Sequence, residues 1–161
     1  SSDLPGARGS HDLEVTALHE GGNHQFELSA QEVSSGWTTL TFNNQSDHVH
    51  FVLLNKMGET ALEKMQAEYG EISREAYMDA VSIPFQEAWD PFFNGTDDAN
   101  AFFGRLFAKL PGWYFNDVRP SGGVGMTAGG ETAKTTVDLD PGVYFMECYV
   151  LGENGDRKSV V

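Results

Sequence analysis

Residues 141–150, PGVYFMECYV, contain the chain's only cysteine and limit its possible folds more than any other stretch. The stretch opens with a Pro-Gly turn and continues in β-branched and aromatic residues, which is the composition of a strand buried on at least one face. Its thiol, Cys148, lies near the end of that strand. A lone thiol in such a place is either a small buried side chain or a ligand for a soft metal.

A second stretch, residues 39–54, predicts a strand, a polar turn and another strand that begins with His-x-His. Because residues i and i+2 of a strand share a face, His48 and His50 are predicted to point to the same side. They form either a two-imidazole metal clamp or a pair of exposed histidines beside a turn. Imidazole and thiolate are ligands of both copper and zinc, so these residues do not distinguish the two metals. The other histidines are predicted to lie on loops and edges: His11, His19 and His24.

Together the two stretches resemble the cupredoxin superfamily, which includes plastocyanin and azurin, and in particular its bacterial exported cupredoxin-like domains. The resemblance rests on GWTTLTFNN and HFVLL in residues 36–54 and on DPGVYFMECYV in residues 140–150. It implies a Greek-key β-sandwich, a copper cofactor, and a periplasmic or secreted protein. It also implies that His50 takes the place of the family's first histidine ligand and Cys148 that of its thiolate.

The sequence departs from the family pattern after Cys148. The residues that follow include neither the second histidine nor the axial methionine of a blue-copper loop, and Arg157 or Lys158 stands where a long-loop relative has its histidine. A positively charged side chain cannot ligate a metal and repels a cation. The candidates for an additional ligand are therefore His48 and Met126, although a lone methionine is more often a packing residue. The chain ends where the family's last strand begins, which predicts a truncated sandwich or an altered edge.

Period-2 alternation predicts further strands at residues 13–18, 25–29, 37–42 and 132–139, with Trp37, Leu40 and Phe42 as core candidates. From about residue 58 to 112 the apolar spacing becomes helical. Residues 113–116 and the glycine-rich residues 120–130 are predicted as loops. The predicted fold is mainly β, a cupredoxin-like Greek-key β-sandwich with an α-helical insertion. Residues 1–12 are predicted to be a flexible leader and residues 13–161 a single domain.

The predicted helices carry two aromatic stripes: Phe85, Trp89, Phe92 and Phe93, and then Phe102, Phe103 and Phe107. These stripes either cover the sandwich or form a pocket or docking face for a partner. The formal net charge of −14 argues against nucleic acid and anionic membrane surfaces as partners, because phosphate contacts need Lys or Arg. No stretch reaches the roughly 18–20 consecutive apolar residues of a membrane span.

Two functions from different classes follow. The first is an exported cupredoxin-like protein that binds copper and carries electrons or copper, with a redox or copper-delivery protein as its partner. The second is a metal-free binding module in which the aromatic helical insertion docks a partner or ligand. The sequence has no Ser-His-Asp arrangement with nucleophile context, no carboxylate pair and no HExxH motif, so no enzymatic activity is predicted. It does not indicate an oligomeric state.

Overall fold

The computed structural model describes residues 11–20 and 23–148. The described strands are β1 (His11–Glu20), β2 (Asn23–Leu28), β3 (Gly36–Asn44), β4 (His50–Met57), β5 (Val118–Thr127), β6 (Thr132–Leu139) and β7 (Tyr144–Glu147). The helices are α1 (Glu59–Tyr69), α2 (Arg74–Tyr77), α3 (Ile83–Phe93), α4 (Ala99–Lys109) and α5 (Gly112–Asp117), with a π-helical segment at Met78–Ser82. Most of the predicted leader, residues 1–10, lies outside the described residues, as do Arg157 and Lys158.

The strands form two sheets, one with the order β2-β1-β3-β6 and one with the order β5-β4-β7. Strand β1 pairs in parallel with β3, whereas β1 with β2 and β3 with β6 are antiparallel pairs. The chain changes sheet between β3 and β4, between β5 and β6, and between β6 and β7, as in a Greek key. One buried apolar cluster takes side chains from both sheets. The structure therefore confirms the predicted mainly β, cupredoxin-like sandwich with a helical insertion.

Strand β3 shows how side-chain alternation decides what the core contains. Thr38, Leu40 and Phe42 are fully buried, and these even-numbered residues share the inward face of the strand. Trp37 is an odd-numbered residue on the opposite face and is 53% exposed. Its predicted place in the core is therefore wrong, because the pleat and not the size of the side chain sets its direction.

The prediction that the glycine-rich residues 120–130 form a loop is also wrong, because most of them belong to strand β5. Gly123 lies so close to the neighbouring strand that a Cβ atom there would overlap the carbonyl oxygen of Val52. Its φ is +150°, a conformation that residues with a side chain rarely adopt. Gly123 thus permits a close approach of two backbones inside a sheet, where the sequence pattern had indicated a long connector.

Residues 56–119 form a compact helical unit of their own. Helix α3 packs on α4, and α1 packs on α5. Pro84 lies in the first turn of α3, a position at which a helix tolerates proline. The side chain of Asp98 accepts a hydrogen bond from the backbone N–H of Ala101 and so caps α4 at its start. No helix in the described ranges has the length and apolarity needed to cross a membrane.

Residues 113–116, predicted as a loop, lie in helix α5, so that prediction is wrong. The helix ends at Asp117, whose carboxylate accepts a hydrogen bond from the backbone N–H of Ala61 at 2.7 Å. The backbone carbonyl of the same residue accepts one from Gly58 at 2.7 Å. These contacts anchor α5 to the start of α1, a long-range constraint that local sequence does not reveal.

Candidate metal centre

His50 and Cys148 lie at the ends of neighbouring strands of the three-stranded sheet. His50 is the first residue of β4 and Cys148 directly follows β7. Their side chains are 1% and 2% exposed, and Nδ1 of His50 lies 3.6 Å from Sγ of Cys148. A sulfur at about 2.3 Å and a nitrogen at about 2.0–2.1 Å from one metal ion are about 3.6 Å apart at a tetrahedral angle. The pair therefore fits two ligands of one ion.

The surroundings of the pair are apolar on the side of the sandwich core. Cys148 belongs to the buried apolar cluster between the sheets, as does Met146. The ring of Phe26 meets the imidazole of His50 edge-on at a centroid distance of 6.0 Å. The backbone N–H of Phe51 donates to Sγ of Cys148 at 3.5 Å. A donor of this kind stabilises negative charge on the sulfur, as a metal-bound thiolate requires.

The turn before His50 is held by the buried side chain of Asn44, the last residue of β3. Its amide nitrogen donates to the carbonyl oxygens of His48 at 2.7 Å and Thr127 at 2.9 Å. Its amide oxygen accepts from the backbone N–H of Ser46 at 3.1 Å and from the Ser46 hydroxyl at 2.7 Å. These four hydrogen bonds use the whole capacity of the amide and tie the turn to the end of β5. The sequence frame included Asn44 but gave no sign of its partners.

We expect Asn44→Ala to lower the free energy of unfolding by about 2–4 kcal/mol, because it leaves buried carbonyl and hydroxyl groups without their donor or acceptor. Asn43→Ala is the matched control. Asn43 has the same side chain at the next position, but its hydrogen bonds to Glu14 and Thr132 lie at the surface. Asn43→Ala should lower the free energy of unfolding by about 1 kcal/mol or less. Urea unfolding of both variants measures the difference, and equal losses would contradict this role for Asn44.

His48 does not share a strand face with His50, because β4 begins only at His50. The backbone of His48 is held in the preceding turn, where its N–H donates to the Ser46 hydroxyl at 3.2 Å. Its Nε2 atom lies 3.4 Å from Oδ1 of Asp47. The predicted same-face arrangement is therefore wrong, and the imidazole of His48 contacts a different set of side chains. A role for His48 as a third ligand of the buried pair stays a prediction.

Met126, the other candidate for an additional ligand, lies near the end of β5 and is 70% exposed. The structure places its thioether at the surface, whereas the pair formed by His50 and Cys148 is buried. It does not bring the three side chains together. Ligation by Met126 likewise stays a prediction.

Sequence analysis missed a buried polar pair that includes the residue directly before Cys148. Asn55 on β4 is 1% exposed and Glu147 on β7 is fully buried. The side-chain amide of Asn55 donates a hydrogen bond to the carboxylate of Glu147. A buried carboxylate needs such donors, because an uncompensated buried charge is strongly destabilising. Neither residue is distinguishable from a surface residue in the sequence, and only the fold shows that both are buried.

The solved structures that this chain is similar to include two auracyanins. Dithionite-reduced auracyanin from the photosynthetic bacterium Roseiflexus castenholzii is 18% identical, and the match covers 88% of this chain and 86% of that chain with a TM-score of 0.44. Auracyanin A, described as a "blue" copper protein of Chloroflexus aurantiacus, is 19% identical over 89% of this chain and 90% of that chain, with a TM-score of 0.41. No family model and no curated protein matches. The cupredoxin-like fold described above rests on the strand order and the shared core of the two sheets.

Proposed function

We propose that this chain is an exported copper-binding protein that carries electrons or copper and catalyses no reaction. The observation that carries the proposal is the 3.6 Å separation of Nδ1 of His50 and Sγ of Cys148, both buried at one end of the sandwich. Thiolate and imidazole are the ligand types that copper sites of this kind use. A redox protein or a copper-delivery protein is the partner that this function requires.

Copper held by these ligands would supply one-electron chemistry. Within the proposal, His50 contributes a neutral imidazole nitrogen and Cys148 a thiolate sulfur. The N–H of Phe51 offsets part of the sulfur's negative charge, and the apolar cluster keeps water from that side of the site. The hydrogen bonds of Asn44 hold the turn that precedes His50, so that the imidazole keeps its position when the charge at the site changes.

Electron transfer and copper carriage are separable in one experiment. The copper-loaded protein is reduced with ascorbate and reoxidised with ferricyanide while its visible spectrum and its bound copper are followed. Electron transfer predicts that the colour disappears and returns with the copper still bound. Carriage predicts that reduction releases the copper to an added Cu(I) chelator. A protein that neither develops a visible thiolate–copper band nor retains copper would contradict both.

A second candidate function is that of a metal-free binding module, and the surface of the helical unit favours it. Trp89 lies at the centre of the aromatic residues of α3 and α4, with ring centroids 5.6–6.2 Å from those of its neighbours Phe85, Phe92, Phe93 and Phe102. Phe93, which belongs to this cluster, is 52% exposed, and Phe103 and Phe107 on α4 are 51% and 65% exposed. Exposed aromatic groups of this kind are typical of interaction surfaces.

We expect the double variant Phe103→Ser/Phe107→Ser to lose most of the chain's binding of the dye anilinonaphthalene sulfonate while the free energy of unfolding changes by about 1 kcal/mol or less, because both rings are exposed. Ile72→Ser is the control, since Ile72 is 41% exposed and lies outside helices α3 and α4. Fluorescence titration measures the binding. Equal dye binding by the double variant and the unaltered chain would argue against a docking face.

A further inference from the structure

A second cluster of metal-binding side chains lies apart from the buried pair. His19, Asp47 and His48 each offer one ligand atom, and these three atoms lie within 4.8 Å of one another. Nδ1 of His19 is 3.1 Å from Oδ1 of Asp47, and Nε2 of His48 is 3.4 Å from the same oxygen. Two imidazoles and one carboxylate form a ligand set that suits Zn²⁺ and similar divalent ions.

The pairing of β1 with β3 builds this cluster. The parallel register sets Ala17 beside Asn44, and the backbone N–H of Gln45 donates to the carbonyl oxygen of Ala17 at 3.0 Å. The turn after β3 therefore folds against the end of β1, where His19 lies two residues further along. His19 and Asp47 are 28 residues apart in sequence. Sequence analysis placed His19 on an edge because the register of two strands cannot be read from either strand alone.

The two distances from Asp47 Oδ1 to the imidazole nitrogens already match those around a tetrahedral ion. With metal–nitrogen and metal–oxygen bonds of about 2.0–2.1 Å, two ligand atoms are about 3.3–3.4 Å apart. The two contacts of the Asp47 oxygen, at 3.1 and 3.4 Å, lie close to this value. An ion can therefore take the place of the protons between this carboxylate and the two imidazoles with small movements of these atoms.

The electrostatics of the cluster also favour a cation. The pKa of Asp47 is lowered by a hydrogen bond from its own backbone N–H, and then by the hydrogen bond from His19, so the carboxyl group is charged at neutral pH. The side chains of His19, Asp47 and His48 are 28%, 70% and 21% exposed. An ion can thus reach the cluster from solvent, and water can fill its remaining coordination positions. The net charge of −14 raises the concentration of cations near the protein.

We propose that His19, Asp47 and His48 form a surface site for Zn²⁺ or a similar divalent transition metal ion, separate from the His50–Cys148 pair. A bound ion would join the end of β1 to the turn between β3 and β4. Because the unfolded chain does not hold these residues together, binding would stabilise the sandwich in proportion to the occupancy of the site. The site does not depend on copper binding by the buried pair.

The test is a calorimetric titration with Zn²⁺ in a Cys148→Ser background, which removes the thiolate as a competing ligand. We expect one Zn²⁺ per chain, and a loss of affinity of at least about tenfold when His19→Ala or His48→Ala is added. His11→Ala is the matched control. His11 lies on the same strand and the same face as His19 but eight residues earlier, about 26 Å away along the strand, so its removal should leave the affinity unchanged.

Thermal unfolding supplies a second readout. Zn²⁺ should raise the Tm of the His11→Ala variant and leave that of the His19→Ala variant unchanged, both in the Cys148→Ser background. Should Cys148→Ser impair folding, amide NMR shifts of the unaltered chain on Zn²⁺ addition are expected to cluster at residues 17–19 and 45–48. Unchanged affinity in His19→Ala, equal losses in His19→Ala and His11→Ala, or NMR shifts confined to the region of Cys148 would overturn the proposal.

Discussion

Cys148→Ser is expected to abolish the visible absorption of the copper-loaded protein. The absorption of a thiolate–copper site depends on the soft sulfur ligand, and a serine hydroxyl is a hard donor that stays protonated. Because Cys148 is 2% exposed within an apolar cluster, the buried hydroxyl should also cost about 1–3 kcal/mol of stability. Visible spectroscopy with metal analysis measures the first effect and urea unfolding the second.

Cys148→Ala separates these two effects, since it removes the ligand without burying a hydroxyl group. It should lose the absorption as completely as Cys148→Ser does. His50→Ala should also lose it, because the imidazole nitrogen lies 3.6 Å from the sulfur. Met126→Leu is expected to keep the absorption, since Met126 is 70% exposed. A visible band that survives in both Cys148 variants would exclude this cysteine as the ligand.

Gly123→Ala should lower the free energy of unfolding by more than about 4 kcal/mol or prevent folding. The new Cβ would overlap the carbonyl oxygen of Val52 and lie 2.8 Å from its carbonyl carbon, and these are backbone atoms that cannot move aside without disturbing β4. The φ of +150° adds strain for any residue with a side chain. Soluble yield and urea unfolding measure the loss.

Gly125→Ala is the matched control on the same strand. A Cβ at Gly125 meets no atom within 4 Å, so the substitution should change stability by about 1 kcal/mol or less in either direction. Similar stabilities of the two variants would mean that β5 does not approach β4 as closely as described. This comparison also tests the finding that the glycine-rich segment is a strand.

The sandwich could be predicted because its strands carry a local signal. Period-2 alternation marks β1, β-branched residues mark β6 and aromatic residues mark β7, so the sequence alone indicated these strands. Strand β5 gives no such signal, because Gly123 is required for the close approach to Val52 and the strand's glycines lack the apolar side chains by which a strand is identified. At β5 the contact between Gly123 and Val52 determines the strand, and the alternation of apolar and polar residues is missing.

Some of the candidate metal ligands could likewise be predicted from the sequence, and others could not. His50 and Cys148 were identifiable because each lies in a stretch whose residues resemble a known family. The group of His19, Asp47 and His48 was not, since it depends on the register of β1 with β3 and on a turn fixed by Asn44. Strand pairing joins residues that are distant in sequence, and one sequence alone does not determine it.

The most direct test of the central claim is X-ray absorption at the copper edge on the protein loaded with one equivalent of copper. We predict one sulfur and at least one imidazole nitrogen as nearest neighbours of the copper, from Cys148 and His50. A nearest shell of nitrogen and oxygen alone would contradict the claim and would place the copper at a site without the thiolate, such as that formed by His19, Asp47 and His48.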